Sequence, residues 1–166
     1  MKNSSFANRG MQLERFIELT NTQYKRDNVA VIQKIATPVK VLHRGHDGKI
    51  TGFYESKSTV DFIGCYQGQF VCFDAKETKG KNLPLKNIHE HQIGFMKTVV
   101  ENGGKAFIVV CFSELERYFV MNSYEIVEAI ENTKAKSMPL LYFENHAREI
   151  KFNECGYVLD YLGVKL

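Results

Sequence analysis

Apolar positions recur along this chain with two different periods. MQLERFIELTNTQYKR, residues 11–26, places Met11, Leu13, Phe16, Ile17, Thr20 and Tyr24 at helical spacing, with Asn8 available as a cap. NVAVIQKI, 28–35, is β-branched and predicts a strand that Pro38 ends. Residues 39–55 predict two partly polar arms around Asp47-Gly48, a hairpin that projects from the body. STVDFIGCYQGQFVCFDAK, 58–76, predicts a second hairpin turning at Gln67-Gly68, followed by a basic loop over 76–87. NIHEHQIGFMKTVVENGG, 87–104, predicts a helix with Ile93, Met96, Val99 and Val100 inward and Gly103-Gly104 at its end. AFIVVCF, 106–112, is apolar at every position, as a strand covered on both faces must be. RYFVMN, 117–122, predicts a further strand, and Ser123 caps a predicted helix SYEIVEAIEN. The pattern fades after Lys134. This order of elements predicts an α/β domain, a central mixed sheet flanked by helices, with all 166 residues in one unit.

Composition supports a packed interior: 44% of residues are hydrophobic, with 12 Phe and 8 Tyr. A net charge of +3 is compatible with nucleic acid but does not demand it. Cys65, Cys72, Cys111 and Cys155 have no CxxC spacing, and the expectation is buried free thiols. The opening MKNSSFANRG has no apolar core, and no run approaches the ~18 apolar residues that cross a bilayer. The expectation is a cytoplasmic protein without membrane contact.

The chemistry lies in the second hairpin. Phe70, Cys72, Asp74 and Lys76 share one strand face, and Val71, Phe73 and Ala75 share the other. With Gln67 and Gly68 as the turn, Tyr66 pairs with Gln69, Cys65 with Phe70, and Asp61 falls opposite Asp74. Facing carboxylates repel, and a divalent cation between them removes the penalty. Thr59 points to the same face and offers another oxygen; such a set suits Mg²⁺ or Mn²⁺. Lys76 adds an ammonium that can position water or stabilise phosphate charge, which is the logic of metal-assisted phosphodiester hydrolysis. Glu14 lies on the inward stripe of the first helix as a candidate helper, with Glu18 nearer the stripe's edge. An ordinary ion pair between Asp74 and Lys76 also satisfies the spacing, and a one-residue slip would turn Asp61 to the opposite face. His89 and His91, two apart on a helix and without Cys partners, do not make a zinc site. His43 and His46 face solvent or DNA, and Phe53 and Tyr54 in the arms stack on bases or pack.

Asp61, then twelve residues, then Asp74-Ala75-Lys76 resembles the PD-(D/E)xK nuclease signature. More narrowly, NRGMQLE (8–14), AVIQKIATPVKV (30–41), STVDFIGCYQGQFVCFDAKETKGK (58–81), NLPLKNIHEHQIGFMK (82–97), GGKAFIVVCF (103–112) and GYVLDYL (156–162) resemble the RecU-type Holliday junction resolvases. That resemblance implies a restriction-endonuclease-like core acting as a homodimer on four-way DNA junctions, with a recombinase as a further partner. It implies metal ligands at Thr59, Asp61, Asp74 and Gln92, a catalytic Lys76, and a helical acid at Glu14. It also implies DNA handling by Arg9 and a projecting stalk over 39–57. Lys79, Lys81 and Lys86 are then phosphate contacts. The chain departs from the family in carrying Asp74 where many relatives have Glu, and in a shorter stalk. A restriction-like endonuclease and a non-catalytic DNA-binding recombination modulator are the alternative readings.

Overall fold

The structure is a computed structural model, and it describes residues 11–54, 59–132 and 135–163. Asn8 and Arg9 therefore lie outside the described residues, as do stalk positions 55–57 and the side chains of Met11 and Tyr54.

In chain order the elements are α1 (Met11–Arg26), β1 (Ala30–Lys34), β2 (Val39–Arg44), β3 (Ile50–Tyr54), β4 (Phe62–Tyr66), β5 (Gln69–Thr78) and β6 (Asn82–Pro84). A 3-10 turn, Leu85–Asn87, leads to α2 (Glu90–Glu101), β7 (Lys105–Phe112), β8 (Arg117–Asn122) and α3 (Ser123–Asn132). The chain continues through β9 (Ser137–Pro139), α4 (Leu140–His146) and β10 (Arg148–Ile150). Six strands form one sheet in the order β1-β4-β5-β7-β8-β10. Among the described residues only β5 and β7 pair in parallel, so the sheet is mixed as the sequence predicts.

The sheet separates two cores, and β7 shows how. Phe107, Val109 and Cys111 enter the layer beneath α1, while Ala106, Ile108, Val110 and Phe112 enter the layer beneath α2 and α3. Both sides of this strand are covered, which is why its sequence does not alternate. Phe73 of β5 is fully buried and stacks between Phe62 and Phe107, with centroids 4.9 and 4.8 Å away. Phe62, Phe73 and Phe107 line up because β4, β5 and β7 pair them directly. α1 ends where Asn28 takes a left-handed φ of 55°, a conformation that Asn tolerates.

The second hairpin turns at Gln67 and Gly68, whose φ values of 52° and 75° both lie in the left-handed region. A two-residue turn of that kind matches strand twist and fixes the register. The arms over 39–54 form a separate two-stranded sheet, β2 with β3, whose described side chains are almost all exposed.

Four expectations need correction. The basic loop is shorter than expected, because β5 continues to Thr78 and β6 pairs with β9. The helix predicted over 87–104 covers only 90–101, and Val100 is 46% exposed. Cys72 and Cys111 are buried thiols, but Cys65 and Cys155 are exposed. Ser123 is the first residue of α3.

The C-terminal segment, hardest to read in sequence, docks on α1 through polar side chains. The Leu159 N–H donates to Thr20 Oγ1 at 2.9 Å, and the Tyr24 hydroxyl donates to Asp160 Oδ1 at 2.7 Å. Thr20 sits on an apolar stripe because its hydroxyl serves this contact. Truncating Phe73→Ala should remove the middle of the aromatic stack and cost about 3–5 kcal/mol, read as a lower urea midpoint with an unchanged slope.

Candidate metal centre

The register from Tyr66↔Gln69 to Phe62↔Phe73 carries Asp61 to the position facing Asp74. The pairing of β4 ends at Phe62, and the two acids continue it with their side chains. The Asp61 N–H donates to Asp74 Oδ1 at 2.9 Å, and the Ala75 N–H donates to Asp61 Oδ2 at 3.0 Å. Each carboxylate thus gives one oxygen to the other strand's backbone.

The second oxygen of Asp74 has a different environment. Asp74 is fully buried, and its Oδ2 is sealed from solvent without a hydrogen bond. The Lys76 ammonium lies 2.6 Å from Oδ2, a charge pair outside hydrogen-bonding geometry. Lys76 also donates to Gln92 Oε1 at 3.3 Å, and the same oxygen accepts from the His89 N–H at 3.2 Å. Gln92 is buried on the first turn of α2, where its side chain reaches back to the residue before the helix. The fold thereby gathers Asp61, Asp74, Lys76 and Gln92.

Burial raises the Asp61 pKa to about 6, and the Asp74 carboxylate adds to the shift; the Ala75 N–H and Lys76 oppose it. The neighbouring Cys72 thiol is pushed up to about 12 by burial and by Asp74.

Other predicted residues lie further out. Thr59 is exposed, two residues before Asp61. Glu14 does not join the acid pair: it binds Lys34, with Nζ 2.6 Å from Oε2, and Glu18 lies 3.8 Å from the same ammonium. Lys79, Lys81 and Lys86 are exposed along the connection from β5 to α2. His89 precedes α2 as its cap, and its ring stacks on that of His91 with centroids 5.4 Å apart.

Sequence reasoning missed Lys34. It pairs with Phe62 at the end of β1, beside the Ile35 N–H that donates to the Asp61 carbonyl. Glu14 first, then Glu18 and Asp61, raise its pKa. The available signal was a lysine closing an apolar strand that runs antiparallel to STVDF.

Among the described residues no three His, Cys, Asp or Glu side chains gather into a metal-binding group. The donor set is two carboxylates and an amide oxygen, all hard, with one carboxylate oxygen buried and lacking a hydrogen bond. That set fits a small divalent cation whose shell is completed by water.

The family model "Recombination protein U" matches residues 8–165. The chain belongs to the RecU family. It is 35% identical to the Holliday junction resolvase RecU of Streptococcus sanguinis over 157 residues, which is 90% of this chain and 78% of that protein. The RecU of Oenococcus oeni is 40% identical over 147 residues, covering 83% of this chain and 75% of the relative. The fold is similar to that of Archaeoglobus fulgidus Hjc, a Holliday junction resolvase, with a TM-score of 0.51 and 9% identity over 82% of this chain and 93% of that one. The core is therefore of the restriction-endonuclease-like type found in that resolvase.

Asp61 gives a pH signature for the RecU site in the presence of chelator. A raised carboxyl pKa penalises the folded state fully above pH ~6 and not at all below the unfolded value near 4. Asp61→Asn should therefore stabilise the protein by about 2 kcal/mol at pH 8, a gain that shrinks towards pH 4 in thermal melts at both values.

Proposed function

We propose that this chain is a metal-dependent endonuclease that resolves four-way DNA junctions by paired nicking. The observation that carries the reading is the acid pair, Asp74 buried and Asp61 half-buried, locked together where β4 meets β5, with Lys76 two residues further along the strand face of Asp74. Family membership and the Hjc-like core support it.

Asp61 and Asp74 would hold Mg²⁺ or Mn²⁺, with Gln92 and Thr59 assisting. The bound ion would supply Lewis acidity and neutralise charge on the scissile phosphate. Lys76 presents its ammonium to the phosphate oxygens, where negative charge grows as water attacks phosphorus and one P–O bond breaks. Glu14, paired with Lys34, would act from outside the metal's ligand shell. Exposed Lys79, Lys81 and Lys86 would contact phosphates on either side of the site, and Arg9 would join them. Two copies in a homodimer would supply the two sites that symmetric nicking requires, and substrate choice would follow DNA shape. A recombinase would be a further partner of the enzyme in the cytoplasm. Among the described residues no helix is long and apolar enough to cross a membrane.

A synthetic immobile four-way junction tests the reading. The wild-type chain should nick it symmetrically with Mg²⁺ and leave it intact with chelator, and plain duplex of the same sequence should be cut far more slowly. Lys76→Ala should slow cutting by about 10²–10³-fold while junction binding persists. Equal cutting of duplex would favour a restriction-like enzyme. Binding without metal-dependent cutting would favour a recombination modulator.

Replacing Lys79, Lys81 and Lys86 together by Ala should weaken binding to all DNA alike. The log–log salt slope should fall by about one per lost phosphate contact. An unchanged slope in a filter-binding titration would place the phosphates elsewhere.

A further inference from the structure

One ammonium stands against an oxygen of each of two proposed ligands. Lys76 Nζ sits 2.6 Å from Asp74 Oδ2 and 3.3 Å from Gln92 Oε1. Asp74 Oδ1 already accepts from the Asp61 N–H, which leaves Oδ2, the oxygen the ammonium stands against, as the one without a hydrogen bond. Gln92 Oε1 has two lone pairs, and both are in use, one by the His89 N–H and one by Lys76. A divalent cation cannot bind Asp74 Oδ2 while an ammonium stands against it at contact distance.

We propose that Lys76 is a built-in stand-in for the metal: its ammonium occupies the cation's place until a divalent ion displaces it, so that metal entry and presentation of the lysine to DNA are one event. This rests on the metal-site reading given under Proposed function. The physical reason for such a device is the burial of Asp74, whose side chain is 1% exposed. A sealed carboxylate without a counter-charge is strongly destabilising, so the metal-free fold needs a cation of its own. The Lys76 side chain, 13% exposed, is long enough to leave by rotating about its own bonds while the strand stays still. Displacement delivers the ammonium to the open side of the site, where a phosphate can meet it. A site without DNA and metal would then hold its reactive amine in a closed pair.

Three measurements on the full chain test this, none of them cleavage. Lysine acylation followed by mass spectrometry should show Lys76 protected without metal and several-fold more reactive at saturating Ca²⁺ or Mn²⁺, with Lys97 unchanged. In calorimetric titration with Mn²⁺, Lys76→Met should bind about tenfold tighter than wild type, because a competing like charge is gone. In thermal melts, metal-free Lys76→Met should unfold below wild type, and Mn²⁺ should raise its midpoint by more than it raises that of wild type. Unchanged or reduced Lys76 reactivity at saturating metal, or equal or weaker Mn²⁺ binding by Lys76→Met, would overturn the stand-in role. If in those cases Asp74→Asn still abolishes metal binding, the site reading survives and only this inference fails. If no binding sensitive to Asp74→Asn is seen at all, both fail.

Discussion

Two hydrogen bonds between neighbouring strands hold this site in being: Asp61 N–H to Asp74 Oδ1, and Ala75 N–H to Asp61 Oδ2. They stand where the backbone ladder of β4 and β5 would have its next rungs. Carboxylates that would otherwise repel across the ladder are therefore also what closes it. Either acid could leave only by stripping a half-buried backbone N–H of its partner, at a cost of about 1 kcal/mol. The turn upstream makes this possible, because two left-handed residues, Gln67 and Gly68, leave a single register for the hairpin.

The rest of the fold steadies that pair from both faces. Beneath α1, the aromatic stack through Phe62, Phe73 and Phe107 ties together the three strands on which the acids depend. On the opposite face, α2 brings Gln92 to Lys76, and Gln92 is itself held by the His89 N–H. The apolar surroundings that make this packing firm also raise the cost of bare charge. Asp61 registers that cost in its raised pKa, and Asp74 meets it with the lysine beside it.

Much of this was legible in the sequence because hairpin chemistry is local. Counting back from Gln67-Gly68 gives the Asp61–Asp74 facing without any knowledge of the fold, and β7 announced its double burial by its lack of alternation. Gln92 was not readable from residues alone. Its role depends on how α2 docks on the sheet, which is a long-range fact, and only the family resemblance pointed to it. The helical stripe correctly turned Glu14 inward, yet the stripe does not say which strand end it meets; that strand end carries Lys34, which takes the carboxylate. The last stretch of the tail defeated pattern reading because polar contacts from Thr20, Tyr24 and Asn21 to Leu159, Asp160 and Tyr161, as well as apolar ones, dock it on α1. Exposed Cys65 shows the limit of equating an apolar run with burial: it lies on a sheet face, between Val31 and Phe70, that α2 leaves uncovered.

The central claim is that this acid pair captures one divalent cation. Crystals soaked in Mn²⁺ and measured at the manganese absorption edge test it directly. The account predicts one anomalous peak within about 2–2.5 Å of an oxygen of both Asp61 and Asp74, at the place the lysine ammonium holds in the metal-free chain. A peak elsewhere, or no peak at saturating Mn²⁺ with Lys76 still against Asp74 Oδ2, would contradict it.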